Sequence, residues 1–422
     1  MTKSTVRIDP SCMDDFDPDS LPAEEALRRI LDGVNPVRGV EKIPVRSALD
    51  RIIAEEIASR INVPSHTNSA MDGYALGGAD LPASGIREFS IVGTAWAGHP
   101  FQQPVRTGEC VRIMTGAPMP DGTDTVVMQE HVELRAGRAT IDARHSRGQN
   151  VRQAGEDLRV GGIVLGAGKR VTPADLGLLA SLGIGEVPVH RRIRVAFFST
   201  GDELRTIGEP LEPGFVYDSN RYSLHGMLTR LGADIIDMGV VRDKREDTLQ
   251  AFKEAGNIAD AVITSGGVSV GQADFVKDAL DAVGQVNFWK VAMKPGRPLA
   301  FGTLNHALFF GLPGNPVSVM VTFYLFVQPA LKRLMGETDA RPILFNARCE
   351  SSLKKKAGRT EYQRGILSAD THGNLIVEKT GPQGSGILRS MTEANCFVVL
   401  PMETESVAPG TTVQVLPFSE IV

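Results

Sequence analysis

The sequence predicts a multidomain α/β protein built on a central open, mostly parallel sheet, and three observations carry that prediction. Between residues 191 and 336, apolar strand-like runs alternate with helical segments, as a parallel sheet with helices on both faces requires. Short β-rich runs separated by Gly and Pro fill residues 57–150, and a second such set follows Gly336. Three turn-forming stretches also follow one another closely: Thr264-Ser265-Gly266-Gly267-Val268-Ser269, Lys294-Pro295-Gly296-Arg297-Pro298 and Gly311-Leu312-Pro313-Gly314-Asn315-Pro316-Val317-Ser318. Open α/β sheets bind ligands outside the carboxyl ends of their strands, where glycine lets backbone N–H groups approach an anion. One such stretch is explained by tight-turn chemistry alone. Three together, with lysines and carboxylates among them, predict a binding site.

The chain of 422 residues holds material for roughly three domains. Its net charge of −5 argues against a general nucleic-acid binder. An anionic ligand stays compatible, because charges beyond about 8 Å are largely screened and local lysines and arginines decide. Cys12, Cys110, Cys349 and Cys396 lie far apart with no C-x-x-C, which fits a reducing compartment rather than a disulfide framework or zinc cluster. The start is polar and acidic (Asp14, Asp15, Asp17, Asp19), unlike a secretory signal. The most apolar run, Val317 to Val327, is too short to span a bilayer and reads as a buried helix. A cytoplasmic protein, without membrane or nucleic-acid partners, is expected.

Taken in order, a helix is predicted from Pro22, with Glu24 and Glu25 complementing its dipole and Ala26, Leu27, Ile30 and Leu31 on one face. Asn35-Pro36 should end it, and a second helix should cover Ser47 to Ala54. Strands are expected at Phe89 to Val92, Cys110 to Met114, Thr125 to Gln129 and Ala139 to Ile141. Thr172-Pro173 reads as the N-cap and first residue of a helix that stops at Gly183. Residues 151–190 should pack beside residues 18–56 as one discontinuous domain, which makes residues 57–150 an insertion. In the α/β stretch, Val195 to Phe198, Ile235 to Val241, Ala261 to Ile263, Phe288 to Met293 and Ala307 to Phe310 read as strands. Leu224, Leu228 and Leu231 mark a helix ended by Gly232, and Glu246 to Ala255 and Asp274 to Val283 mark two more. Phe345 to Cys349, Tyr362 to Leu367, Leu375 to Lys379, Phe397 to Leu400 and Thr412 to Leu416 predict a small all-β barrel or sandwich over 337–422.

Asp202, Glu203, Asp243 and Asp274 each follow a strand or its turn, so the topology gathers them at the sheet's carboxyl edge. Hard carboxylates with open water positions suit Mg²⁺ bound chiefly through a substrate's phosphates. Lys290 and Lys294 are four apart, which puts both on one face if the strand is regular. The turn at Gly266-Gly267 does not fit G-x-G-x-x-G, and no Walker P-loop or H-E-x-x-H occurs.

These residues sit in longer strings: Ser69-Ala70-Met71-Asp72-Gly73-Tyr74-Ala75, Ile113-Met114-Thr115-Gly116-Ala117, Gly155-Glu156-Asp157 and Ser199-Thr200-Gly201-Asp202-Glu203-Leu204. With the three turns above, the set resembles the molybdopterin molybdenumtransferases, the MoeA family that includes the gephyrin E domain. The resemblance runs in order from about residue 20 and covers nearly the whole chain.

It implies an elongated homodimer of four domains: a discontinuous domain (18–56 plus 151–190), an inserted β-rich domain (57–150), a molybdopterin-binding α/β domain (191–336) and a C-terminal β-barrel (337–422). It implies molybdate insertion into adenylylated molybdopterin with release of AMP, dependent on Mg²⁺, downstream of a molybdopterin adenylyltransferase. Glu203, Asp243 and Asp274 are then expected to hold the metal or orient the phosphoanhydride, with Lys290 and Lys294 stabilising developing charge. Asp72 and Thr115 are expected from the partner subunit. Arg364 in Glu361-Tyr362-Gln363-Arg364 and Ser385 in Gly384-Ser385-Gly386 are expected on molybdate. Arg152, Asp157, Ser265, Gly266, Gly267, Ser269, Arg297, Pro313, Asn315, Pro316 and Ser318 complete the expected substrate contacts. An adenylyltransferase sharing the α/β domain, or a gephyrin-like scaffold, is the alternative.

Overall fold

The computed structural model describes residues 20–267, 280, 283–338 and 342–421. The first helix, Ala23–Asp32, buries Ala26 and Ile30 and ends at Gly33, ahead of the expected Asn35-Pro36 stop. No α-helix forms over 47–54: a single 3-10 turn, Val45–Ser47, is followed by Ile52 and Ile53, which bridge to Arg170 and Val189. Two adjacent β-branched residues suit extended pairing, and long-range partners decide the outcome over local propensity.

Those partners come from beyond the β-rich stretch. The strand Val40–Pro44 pairs antiparallel with Glu186–His190, and Ile57–Ala58 pairs with Ile163–Leu165. One core joins the two segments, with Ile53, Ile57, Leu165, Leu179, Val187 and Val189 buried together. The helix Pro173–Ser181 opens with a full capping box: the Thr172 hydroxyl accepts from the Asp175 amide, and the Asp175 carboxylate accepts from the Thr172 amide. Thr172→Ala is expected to lower unfolding free energy by about 1 kcal/mol, read as a lower urea midpoint at unchanged slope.

Residues 73–142 form a six-stranded sheet in the order Thr125–Met128, Gly73–Leu76, Glu109–Ile113, Ile86–Ala95, Arg138–Asp142, Glu133–Arg135. All four strands expected there are present in it.

The central sheet also has six strands, ordered Asp234–Val241, Arg194–Thr200, Ala261–Ser265, Ala307–Leu312, Pro298–Leu304, Gly284–Lys290. The first four are mutually parallel, and the last two join antiparallel. Buried on both faces, the inner strands are continuous apolar runs such as Val195 to Phe198. Phe252, on the helix Arg245–Ile258, lies between Phe198 and Phe309 with ring centroids 5.5 Å from each, which clamps that helix to the sheet. The helix Ser219–Leu231 ends at Gly232 in the left-handed conformation, as its spacing predicts. The expected helix Asp274 to Val283 falls almost wholly outside the described residues.

The apolar run from Val317 is one continuous helical path: α-helix Pro316–Thr322, a π-helical turn Phe323–Val327, then α-helix Gln328–Leu334. Val317, Val319, Val321, Phe323, Phe326 and Val327 are buried in the largest core cluster. Among the described residues no helix is long and apolar enough to cross a membrane.

The C-terminal strands Phe345–Cys349, Thr360–Ala369, Leu375–Lys379, Cys396–Leu400 and Thr412–Pro417 close into a barrel, because Thr360–Ala369 pairs with both Leu375–Lys379 and Cys396–Leu400. A two-residue strand from the α/β segment, Met293–Lys294, adds to that barrel by pairing parallel with Thr360 and Glu361.

Candidate active site

The carboxyl ends of the parallel strands form one edge, and the turns there are tied to one another. Ser199 and Ser265 share a buried hydrogen bond of 2.9 Å, and the Gly266 amide donates to the Leu312 carbonyl at 3.1 Å. Asn220, at the start of its helix, donates to the Gly314 carbonyl at 2.7 Å. Gly266 has φ +87°, and a Cβ there would lie 2.6 Å from the Thr200 carbonyl oxygen, so only glycine fits between these strand ends. Ser265, Gly266, Gly267, Pro313, Asn315, Pro316 and Ser318 therefore share this edge, with Pro313 and Ser318 buried and Asn315 exposed. Ser269 and Asp274 lie outside the described residues. So do residues 268–271 of Gly267-Val268-Ser269-Val270-Gly271, a G-x-S-x-G string for which no nucleophile geometry follows.

At one end of the edge, three carboxylates come together. Asp202 Oδ1 lies 3.4 Å from the Asp243 amide, and Glu203 folds back over Gly201, where a Cβ would lie 2.5 Å from Glu203 Oε2. Burial, then the charges of Asp202 and Glu203, push the Asp243 carboxyl above its ordinary range. Among the described residues no group of three such side chains is placed to hold a metal ion, so what this end offers a cation is concentrated negative charge rather than a formed ligand set.

At the other end, the barrel meets the α/β segment in a cleft of about 140 Å³ lined by Lys294, Pro295, Lys354, Glu361, Gln363, Arg364 and Lys379, among others. Arg364 is 1% exposed. Its Nε donates to Ser390 Oγ at 3.0 Å and its Nη2 to the Gly384 carbonyl at 3.2 Å, which leaves Nη1 without an acceptor among the described residues. Burial pushes its pKa down to about 10 against the opposing pull of Glu361, so it stays charged at neutral pH. Ser385 joins the same junction, its carbonyl accepting the Val317 amide at 3.0 Å. Gly296 brings the Lys294 turn onto the long helix, where a Cβ would meet Thr322 Cγ2 at 2.7 Å.

Lys290 and Lys294 do not share a strand, so the condition for their common face fails. Lys290 ends the α/β strand Gly284–Lys290, while Lys294 belongs to the barrel sheet. The chain turns between them, the Met293 amide donating to the Val291 carbonyl at 2.8 Å, while Leu21 bridges Val291 by donating to the Lys290 carbonyl and accepting from the Ala292 amide. Arg297 follows the turn and accepts the Val291 amide through its carbonyl.

Asp72 and Thr115 lie in the β-rich segment. The Thr115 amide and hydroxyl, 2.7 and 2.8 Å from Asp72 Oδ1, hold the Asp72 carboxyl below its usual range. Arg152 and Asp157 are exposed beside it, Arg152 pairing with Asn68 and the Asp157 amide donating to the Val63 carbonyl. Among the described residues, none of these four shows a hydrogen bond or ion pair to the crevice.

The cleft also contains Glu361, Gln363, Lys354 and Lys379, which the sequence reading did not assign. A signal was present: Glu361 and Gln363 alternate at inward positions of a strand, where polar side chains need partners.

Models of the MoeA N-terminal region (domain I and II), the probable molybdopterin binding domain and the MoeA C-terminal region (domain IV) match residues 21–183, 196–333 and 346–418. A molybdopterin molybdenumtransferase of Haemophilus influenzae is 45% identical over 403 residues, covering 95% of this chain and 99% of that protein. This chain belongs to the MoeA family of molybdopterin molybdenumtransferases. A Bacillus subtilis member is 34% identical over 95% of this chain and 94% of its own length. The molybdopterin biosynthesis moeA protein of Pyrococcus horikoshii OT3 superposes with TM-score 0.82 at 29% identity, covering 94% of this chain and all of that one. The MoeA-like architecture thus extends over both ends of the crevice.

Proposed function

We infer that this chain carries out the molybdenum insertion step of molybdenum cofactor biosynthesis, transferring molybdenum from molybdate to adenylylated molybdopterin and releasing AMP. The observation that carries the reading is the full-length likeness to molybdenumtransferases, joined to a crevice with carboxylates at one end and a cationic cleft at the other. The strand ends that carry Asp243 and Lys290 are five strand spacings apart, roughly 24 Å, which suits an extended nucleotide–pterin substrate better than a compact one. The backbone donors and Ser265, Ser318 and Asn315 between them suit the phosphate and pterin portions. Arg364, Lys294 and Ser385 suit the tetrahedral oxyanion, whose charge they offset in a partly dry cleft.

Glu203 and Asp243, with Asp274, would hold Mg²⁺, which supplies a counter-charge for phosphoanhydride oxygens. Asp72 and Thr115, with their carboxylate already organised, act in this reading on the crevice of a second copy, so the working unit is a homodimer. Four domains (18–56 plus 151–190, 57–150, 191–336 and 337–422), a cytoplasmic setting and an upstream molybdopterin adenylyltransferase belong to the same reading.

Purified protein given adenylylated molybdopterin, Mg²⁺ and molybdate is expected to release AMP in proportion to molybdate. AMP release that ignores molybdate, or ATP consumption with free molybdopterin, would turn the assignment toward an adenylyltransferase. That alternative is not favoured, because the full-length relatives are molybdenumtransferases.

A further inference from the structure

The carboxylate of Glu361 stands in the middle of the cationic cleft, and the oxyanion reading alone gives it no role. Glu361 is 5% exposed, and a buried carboxylate needs partners. Among the described residues two side chains contact it: Gln363 Nε2 donates to Oε2 at 2.9 Å, and Lys294 Nζ lies 3.5 Å from Oε1. The two contacts differ in kind. Gln363 is itself buried and anchored to the Lys354 carbonyl at 3.1 Å, so it fixes the carboxylate. Lys294 is half exposed, and its 3.5 Å approach is looser than a charge-assisted hydrogen bond of about 2.8 Å. An ammonium on a flexible stem can turn toward another anion while the carboxylate stays where it is.

The strand ladder sharpens the argument. Lys294 is the register partner of Glu361, so its backbone is held opposite the carboxylate and only the side chain has freedom. The same cleft presents Lys354, Lys379 and Arg364, with Nη1 of Arg364 lacking an acceptor among the described residues. An oxyanion entering there meets a cluster of cations and a carboxylate already paired to Lys294.

We propose that Glu361 is the counter-ion of Lys294 before substrate binds, and that an incoming tetrahedral oxyanion takes its place on the lysine. Glu361 is then a positioning residue: it aims Lys294 and weakens oxyanion affinity by competing for it, which keeps the anion from being held too tightly for transfer. The inference rests on the assignment of this cleft to molybdate.

The test titrates the full-length protein with sodium molybdate by calorimetry and measures kcat and KM for molybdate in the AMP-release assay. Glu361→Gln removes the competing charge, so molybdate should bind about three- to tenfold tighter, with KM falling in parallel. Its kcat should fall as well, because Lys294 has lost its aim. Glu361→Asp keeps the charge, and its affinity should stay within about twofold of wild type. This variant decides the matter if the glutamine variant melts early. Unchanged or weakened molybdate binding in a Glu361→Gln protein that melts like wild type overturns the proposal, as does a tenfold change in Glu361→Asp. If wild-type protein binds no molybdate, the cleft assignment falls and this inference with it. Binding that is lost in Arg364→Ala but indifferent to Glu361→Gln leaves the assignment standing and removes only the role of Glu361.

Discussion

Arg364→Ala is expected to lower kcat/KM for molybdate by about 10²-fold while leaving binding of the adenylylated pterin near wild type. The guanidinium is buried and fixed by its own hydrogen bonds, to Ser390 Oγ and the Gly384 carbonyl. Removing it takes away positive charge, and it also frees the 384–385 turn whose carbonyl receives the Val317 amide. Arg364→Lys should recover little of the loss. A lysine ammonium cannot reach Ser390, Gly384 and an oxyanion at once, because it lacks the planar fork. A thermal melt accompanies the kinetics, since the variant leaves Ser390 and Gly384 without their buried donor. Equal losses in pterin and molybdate binding would reassign Arg364 to holding the barrel together.

Asp243→Asn is expected to make the protein more stable and much less active. The Asp243 carboxyl is raised by burial first and by Asp202 and Glu203 next. A carboxyl whose folded pKa exceeds its unfolded one favours folding fully below the unfolded pKa. That contribution disappears as pH rises through the folded pKa. At neutral pH the ionised group therefore opposes folding, and the amide relieves it. The partly exposed position keeps the gain small, about half a kcal/mol or less. The same substitution removes a hard oxygen donor, and molybdate-dependent AMP release should fall about 10²-fold. Added Mg²⁺ should raise the melting temperature of wild type and leave Asp243→Asn unmoved. A variant that is destabilised at neutral pH, or that keeps the Mg²⁺ response, contradicts this picture.

Local chemistry made much of the architecture readable before any coordinates. Thr172-Pro173 opens its helix and Gly232 closes another, because caps act through residues a few positions away. The strands of the β-rich segment and of the barrel follow from β-branched and aromatic runs between turns. Failures occurred where distant segments decide. Ile52 and Ile53 follow partners at Arg170 and Val189, out of reach of a helical window. The strand Pro298–Leu304 is masked locally, since Pro298 reads as the end of a turn, yet proline is tolerated at the first residue of a strand. Lys290 and Lys294 part company because the chain turns between them, the Met293 amide donating to the Val291 carbonyl. Glu361 is illegible locally for a related reason: its meaning depends on a lysine 67 residues away in sequence.

The parallel pairing of Met293 and Lys294 with Thr360 and Glu361 has a mechanical corollary. Two architectural units grip one lysine through a shared rung, so a rotation of the barrel relative to the central sheet cannot occur without swinging that side chain. Substitutions at that seam, however far from any substrate atom, should therefore be felt as errors of aim rather than as losses of charge.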